Sequence, residues 1–363
     1  MNSRWSLTLC YFLLLSYATA QRLTFEQWAA LYGKTYRSPE DASKAKQTFE
    51  QNVKLVSHLN DLYKEKDVKY AINSFADLTP EEFEDKILMP ARKPPVHPAE
   101  RYVSFEAGDL PDTFDWRDKD VVSSVKDQGS VGTCWAFSTV GNVEGQWALA
   151  GHPVISLATE QLVDCDATID PDNLNSDCGV FGGWPYLAYQ YIANAGGIEE
   201  ESAYPYCSGS GQCYPCVPKG YNKTRCGPPP SYCNKTDSCD VKLNNRNFVS
   251  GLKVKSWIAI AKNETEMMAA LVSTGPLSVL IDASTLQFYH SGVWDPLVCD
   301  STDLDHAVLL VGYGTDKGIL SSKPYWLIKN SWGEKWGEEG YFMMLRGAGK
   351  CGVDQAVTSA TLE

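Results

Sequence analysis

The stretch from Gln21 to Asp109 contains no cysteine, although the whole chain of 363 residues has twelve. Positive charge is also in short supply. Lys and Arg number 32 against 45 Asp and Glu, a net charge of −13. This excludes a nucleic-acid binder that works through a dense basic face. Beyond the first twenty residues no apolar run approaches the ~18 residues needed to cross a bilayer, so no membrane span is expected. Histidine is scarce, with five in the chain. Only His152, His290 and His306 lie beyond Asp109, so imidazole chemistry in that part must use one of them. The overall balance, 44% hydrophobic and 21% charged, excludes whole-chain disorder and collagen-like structure. The length suggests two or three domains.

What is present begins with Met1–Ala20, where Arg4 precedes an apolar stretch, Leu7–Tyr17, that ends in Ala18-Thr19-Ala20. This is the order of a secretory signal peptide, with a signal anchor as the alternative. A secretory route makes the cysteines disulfide candidates. Cutting after Ala20 removes Cys10 and leaves eleven. Eleven is odd, so one thiol should stand apart.

The cysteine-free segment 21–109 is polar and charged. Phe25, Trp28, Leu31 and Tyr32 recur at helical spacing, as do Ala45, Phe49, Asn52, Val56 and Leu59, which predicts two amphipathic helices. Four prolines between Pro90 and Pro98 predict an extended, protease-accessible linker. The body, 110–363, opens with helical stretches at Thr133–Ala150 and Trp184–Ala195. It continues into strands at Leu277–Ile281, His306–Val311, Tyr325–Ile328 and Gly340–Leu345. Helices first and strands later predict an α+β body of two subdomains. Residues 207–247 stand out, with six cysteines, three consecutive prolines, six Lys/Arg and only two Asp/Glu. Such a segment needs cross-links in place of a core. It carries the glycosylation sequons at Asn222 and Asn234, and a third begins at Asn263.

Cys134 opens an apolar helical run, and a helix N-terminus favours thiolate over thiol. His306 begins a buried-looking strand, and Asn330-Ser331-Trp332-Gly333 follows another. Each has a bland reading alone. Cys134 could be cross-linked, His306 a core histidine, Asn330 a turn residue, Gln128 a loop residue, and Trp332 and Trp336 core aromatics. His152 and His290 lack comparable surroundings and read as structural.

Together, Gln128-Gly129-Ser130-Val131-Gly132-Thr133-Cys134-Trp135, Asp305-His306-Ala307 and Asn330-Ser331-Trp332-Gly333 resemble the motifs of papain-like cysteine proteases of the cathepsin L and cathepsin F kind. The resemblance spans a full preproenzyme except for residues 207–247. It implies a papain-like α+β fold, with a helical subdomain facing a β-barrel-like one, and a helical inhibitory propeptide. The implied domains are a signal peptide (1–20), a propeptide (21–109) and a peptidase domain (110–363) with the cysteine-rich insertion. Tyr70-Ala71-Ile72-Asn73-Ser74-Phe75-Ala76-Asp77 resembles a propeptide motif, with Ala71 where glycine is usual. A second helical motif is degraded, with Asp41 and Ala45 replacing Glu and Arg.

The resemblance assigns roles. Cys134 is the nucleophile, His306 its acid–base partner, Asn330 the residue that orients His306, and Gln128 an oxyanion donor. Trp332 shields the His306–Asn330 contact. Gly182, Gly183, Trp184, Pro185, Leu280, Leu304, Ala356 and Trp332 line the substrate cleft, and the pocket among them implies a hydrophobic residue at P2. Disulfides Cys165–Cys213 and Cys299–Cys351 are implied. A further family disulfide is impossible because Val131 replaces its cysteine, and this frees Cys178. Cys178, Cys207, Cys216, Cys226, Cys233 and Cys239 then allow 15 connectivities. A zinc site among Cys213, Cys216, Cys226, Cys233 and Cys239 is the alternative. No metal or cofactor is otherwise implied. The absence of histidine from 207–247 favours endopeptidase over carboxydipeptidase action. Implied partners are polypeptide substrates, the chain's own propeptide and cystatin-like inhibitors, with the protein a monomer. The body, with 30 acidic and 18 basic residues, suits a lysosome-like acidic compartment or secretion. The rival readings are a non-catalytic binding protein on a protease scaffold and an interaction module built on 207–247.

Overall fold

The structure is a computed structural model that describes residues 23–106, 108–213, 216–229, 233–243, 245–317 and 322–363. The signal-peptide reading of 1–20, with Cys10, lies outside the described residues. Among its described residues the pro-segment holds three α-helices: α1 (Phe25–Leu31), α2 (Pro39–Leu62) and α3 (Pro80–Ile87). Thr24 and Gln27 form a capping box at the start of α1, and Thr79 and Glu82 another at α3, where Pro80 supplies a preset first turn. The periodicity predicts α1 and α2. It misses α3, which has only two turns and two fully buried side chains, Phe83 and Ile87.

In the body, α4 (Cys134–Leu149), α5 (Thr159–Cys165) and α6 (Pro185–Ala195) come first. Six main strands follow: β1 (Val254–Ile260), β2 (Leu277–Ile281), β3 (His306–Lys317), β4 (Ser322–Lys329), β5 (Tyr341–Leu345) and β6 (Thr358–Leu362). Helix α7 (Glu264–Thr274) lies between β1 and β2. The sheet order is β1-β6-β2-β3-β4-β5, antiparallel throughout this path. Helix α4 is buried on nearly every side and packs on β3 and β2. It can lie that close because Gly141 and Gly145 face the sheet. A Cβ at either would meet Leu309 Cδ2 or Pro276 Cγ at 3.0 Å.

The pro-segment shares a core with the strand-rich half. Trp28, Phe49, Phe75 and Phe83 belong to the same apolar cluster as Trp326, Trp332 and Trp336. Its backbone is fastened as well. Lys69–Tyr70 pairs antiparallel with Tyr289–Ser291. Asn73 Nδ2 donates to Gln287 O at 2.7 Å, and Gln287 Nε2 donates back to the carbonyls of Phe75 and Leu78. The Pro90–Pro98 stretch is not an accessible linker along its whole length. Arg92 and Leu304 exchange two backbone hydrogen bonds of 2.9 Å, and His97 is buried.

Among the described residues five disulfides are formed: Cys165–Cys239, Cys178–Cys226, Cys207–Cys213, Cys216–Cys233 and Cys299–Cys351. The expected Cys165–Cys213 bond is therefore corrected. Cys213 closes a six-residue loop with Cys207. The end of α5 instead meets the returning end of the insertion, where Lys242 Nζ lies 3.0 Å from Asp164 Oδ2 and brings Cys239 to Cys165. Every cysteine of the zinc alternative is in a disulfide, which leaves that reading no thiolate. Among the described residues the free cysteine is Cys134. The sequon residues Asn222, Asn234 and Asn263 each accept backbone N–H groups of the following turn through Oδ1.

Candidate active site

Cys134 is the first residue of α4, where the opening N–H groups have no intrahelical partner. Its Sγ accepts from the Ala307 N–H at 3.4 Å. His306 is the first residue of β3, and Asn330 follows the last residue of β4. The antiparallel register pairs Leu309 with Lys329 and so brings His306 and Asn330 together. His306 Nε2 and Asn330 Oδ1 are 2.8 Å apart. Asn330 Oδ1 also accepts the Ser331 N–H at 2.8 Å, which turns the amide oxygen toward the ring. Nε2 therefore carries the proton. Nδ1, buried and without a hydrogen-bond partner, keeps its lone pair. Trp332 stacks on the ring at 4.6 Å with 24° between planes.

Gln128 is fully buried. Its Oε1 accepts from Ser331 Oγ at 2.6 Å, and its Nε2 donates to Val131 O and to Ile87 O at 2.8 Å. Ile87 belongs to the pro-segment, so a propeptide carbonyl occupies the amide. The chain then crosses the site, where Met89 N donates to Asp305 O at 2.9 Å. The Met89 side chain joins the apolar cluster of Cys134, Trp184, Leu280, Leu304, Ala307 and Ala356. Gly182 lies against it, and a Cβ there would sit 2.7 Å from Met89 Cβ. Gly183 turns away toward Trp135 and Asp177, and Pro185 opens α6. Trp332 stands apart from this cluster and meets Phe75 and Phe83 edge-on at 5.5 and 5.3 Å.

This covering sets the protonation states. Burial pushes the Cys134 thiol up to about 12 and the His306 imidazole down to about 4. Beneath the pro-segment the pair is thus thiol and neutral imidazole, because neither charge has water. Burial likewise raises the Asp305 carboxyl to about 8, where it accepts the Ala283 N–H.

Residue patterns alone do not reveal one group. Lys329, next to Asn330, is buried and pushed down to about 8 by burial. Its Nζ donates to Ser123 Oγ at 2.9 Å. Ser123 in turn donates to Glu144, which also takes Lys126 Nζ at 2.8 Å. The available signal is Glu144 itself, a carboxylate in the middle of the apolar helix α4. His152 stacks on Trp147 at 3.5 Å, far from this chemistry in its contacts.

Comparison with known proteins agrees with the geometry. Residues 110–361 match the papain family cysteine protease model, and residues 25–83 match the cathepsin propeptide inhibitor domain. The chain belongs to the papain family of cysteine proteases. It is 37% identical to cysteine proteinase 15A of Pisum sativum over 344 residues, 92% of this chain and 85% of that protein. It is 35% identical to cathepsin F of Drosophila melanogaster, covering 93% of this chain but half the length of that relative. Digestive procathepsin L 3 of Tenebrio molitor larval midgut superposes with a TM-score of 0.71 at 30% identity, covering 93% and 97% of the two chains. A recombinant stem bromelain precursor gives 0.72 at 29% identity, covering 93% and 98%. This papain-family protease is a cysteine endopeptidase carrying its inhibitory propeptide, a zymogen with an α+β papain-like fold. Among the described residues no helix is long and apolar enough to cross a membrane.

Proposed function

We propose that Cys134, His306, Asn330 and Gln128 carry peptide-bond hydrolysis once the pro-segment leaves. The observation that supports this best is the His306–Asn330 contact of 2.8 Å, which leaves Nδ1 bare on a strand whose next N–H meets the Cys134 sulfur. With water admitted, the thiol proton passes to Nδ1. The resulting thiolate is stabilised by imidazolium and by the start of α4. Sulfur attacks the peptide carbonyl carbon, and the carbonyl electrons move to oxygen. Gln128 Nε2, freed from Ile87, and the Cys134 N–H donate to that oxyanion. Imidazolium gives its proton to the leaving amine, and the thioester remains. Neutral imidazole then takes a proton from water, which attacks the thioester and restores the thiol.

The P2 side chain enters the pocket that Met89 fills in the zymogen, among Trp184, Leu280, Leu304 and Ala356. These apolar walls favour a hydrophobic residue. Leu280 restricts depth, so aliphatic P2 residues are preferred to aromatic ones. The propeptide occupies the cleft until cleavage between it and the body. The protein enters the secretory route and works as a monomer in an acidic compartment or outside the cell, open to cystatin-like inhibitors. The test is hydrolysis of peptides by the acid-processed protein beside a Cys134→Ala control. Equal turnover in both would reject the assignment, and preference for Arg at P2 would reject the pocket.

A further inference from the structure

Beyond the cleft the pro-segment tail enters a second site. The side chain of Asn173 brackets one residue of the tail. Its Oδ1 accepts the Val96 N–H at 2.7 Å, and its Nδ2 donates to Val96 O at 3.1 Å. The next side chain, His97, sits edge-to-face between Tyr186 and Trp257, with ring centroids at 4.8 and 4.9 Å. Arg101 lies over the Trp257 ring at 4.6 Å. An open cavity of about 470 Å³ remains beside these groups, lined also by Ile169, Leu187 and Gln190. Trp257 Nε1, in a side chain only 4% exposed, has no hydrogen-bond partner.

Asn173 is held on a hairpin, Ile169–Asp170 paired with Asn175–Ser176. The cysteine-rich insertion braces that hairpin. Arg225 Nη1 donates to the carbonyls of Asp170 and Asn175 at 2.8 and 2.9 Å. Cys226 is bonded to Cys178, two residues past the hairpin. On the inner side Tyr186 OH donates to Asp170 Oδ2 at 2.7 Å. The sulfur released by Val131 thus serves to lock the wall of this groove.

We propose that, after processing, this groove is an extended substrate-docking site that holds the polypeptide being cut several residues away from the scissile bond. Its occupant is an unfolded stretch of substrate in extended conformation, with an aromatic or imidazole side chain beside the bracketed residue. Three features support that occupant. The groove is continuous with the cleft, since one unbroken segment of this chain fills the Met89 pocket and then reaches Asn173. Six residues lie between Met89 and Val96, and an extended chain covers at most about 25 Å over those seven steps. The bracket takes one N–H and one C=O, and Asn173 Nδ2 also donates to Asp170 Oδ2 at 2.7 Å, which fixes the amide, so a chain of opposite direction meets it with the C=O of one residue and the N–H two residues on. The ring slot adds burial and edge-to-face contact, the usual source of affinity for an aromatic anchor.

The proposal rests on the hydrolytic reading above, and the test separates the two. Processed protein with Cys134 alkylated is titrated with a peptide of sequence Pro-Pro-Val-His-Pro-Ala-Glu-Arg, matching residues 94–101. In parallel, kcat/KM is measured on unblocked enzyme for a short substrate and for one extended at its N-terminus by about seven residues with a Tyr-Val pair at the distal end. Saturable binding to the blocked enzyme is expected, weakened about tenfold by Asn173→Ala. The long-to-short ratio of kcat/KM should exceed one and fall several-fold in Asn173→Ala and in Arg225→Ala. Absence of binding overturns the proposal. Binding with a ratio that Asn173→Ala leaves unchanged also overturns it, because the groove is then a latch for the propeptide alone. Failure to cut even the short substrate would instead strike the hydrolytic reading.

Discussion

At the scale of residues, the site depends on where two protons sit. Asn330 takes the Nε2–H of His306, so Nδ1 is the position that can receive a proton from sulfur. Asn330→Ala frees the ring to rotate, and kcat should fall by about 10²-fold with KM little changed, read from steady-state peptide hydrolysis. Gln128→Ala removes the proposed oxyanion donor and should lower kcat by about 10²–10³-fold. The pH dependence of activation also originates here. Covered His306 is protonated only near pH 4, whereas an exposed imidazole titrates near ~6.5. Protonation therefore favours the uncovered state. The stability this group gives the covered state is full above about pH 6.5 and is lost as the pH falls toward 4. Burial raises Asp295, but hydrogen bonds from Lys66 and Lys350 prevail and hold its carboxyl below the ordinary range. Its contribution is likewise lost in acid, at lower pH. Asp305 has the opposite sign: burial, and then the charges of Asp282 and Glu84, raise its carboxyl, and of those two charges only Glu84 leaves with the pro-segment. Release, followed by limited proteolysis of the Cys134→Ala protein, should accelerate as the pH drops from 6.5 to 4. A flat profile would refute this account.

At the scale of elements, inhibition is distributed over α3, the short strand Lys69–Tyr70 and the tail. Phe83 of α3 is fully buried between Phe75 and Trp332. Phe83→Ala should weaken pro-segment docking by about 3–4 kcal/mol and permit processing at neutral pH, visible as early conversion on a gel. Lys66 reaches Asp295 at 2.8 Å across the same interface and is half-buried. Lys66→Ala should cost only about 1 kcal/mol, a smaller shift of the activation profile toward neutral pH. The apolar contact outweighs the ion pair because water still screens the latter.

At the scale of the whole molecule, the insertion is fastened to the body by Cys165–Cys239 and Cys178–Cys226. Removing the second with paired Ala substitutions should lower stability by about 2–4 kcal/mol, measured as a fall in Tm of the processed enzyme. Much of the molecule was legible in one dimension. Periodicity marks α1, α2 and α4, because a helix that buries one stripe, or nearly all of itself, writes that burial into its residue spacing. Cys134, His306, Asn330 and Gln128 stand in recognisable local contexts, and an odd cysteine count isolates one thiol. Helix α5 escaped notice because it is short and buried all round, so it shows no contrast between faces. The tail from Pro90 to Pro98 reads as a free linker, since nothing local announces that Arg92 pairs with Leu304 or that His97 enters an aromatic slot. Cys299–Cys351 pairs as the resemblance implied, but the pairing of the other cysteines was beyond reach for the same reason. A sulfur bonds with the sulfur that folding brings near, and here a returning loop carried Cys239, rather than Cys213, to the end of α5. Local order, composition and the candidates for the reactive groups follow from the sequence itself. Which distant groups meet, and therefore which protons are held and which grooves are filled, follows only from packing the whole chain.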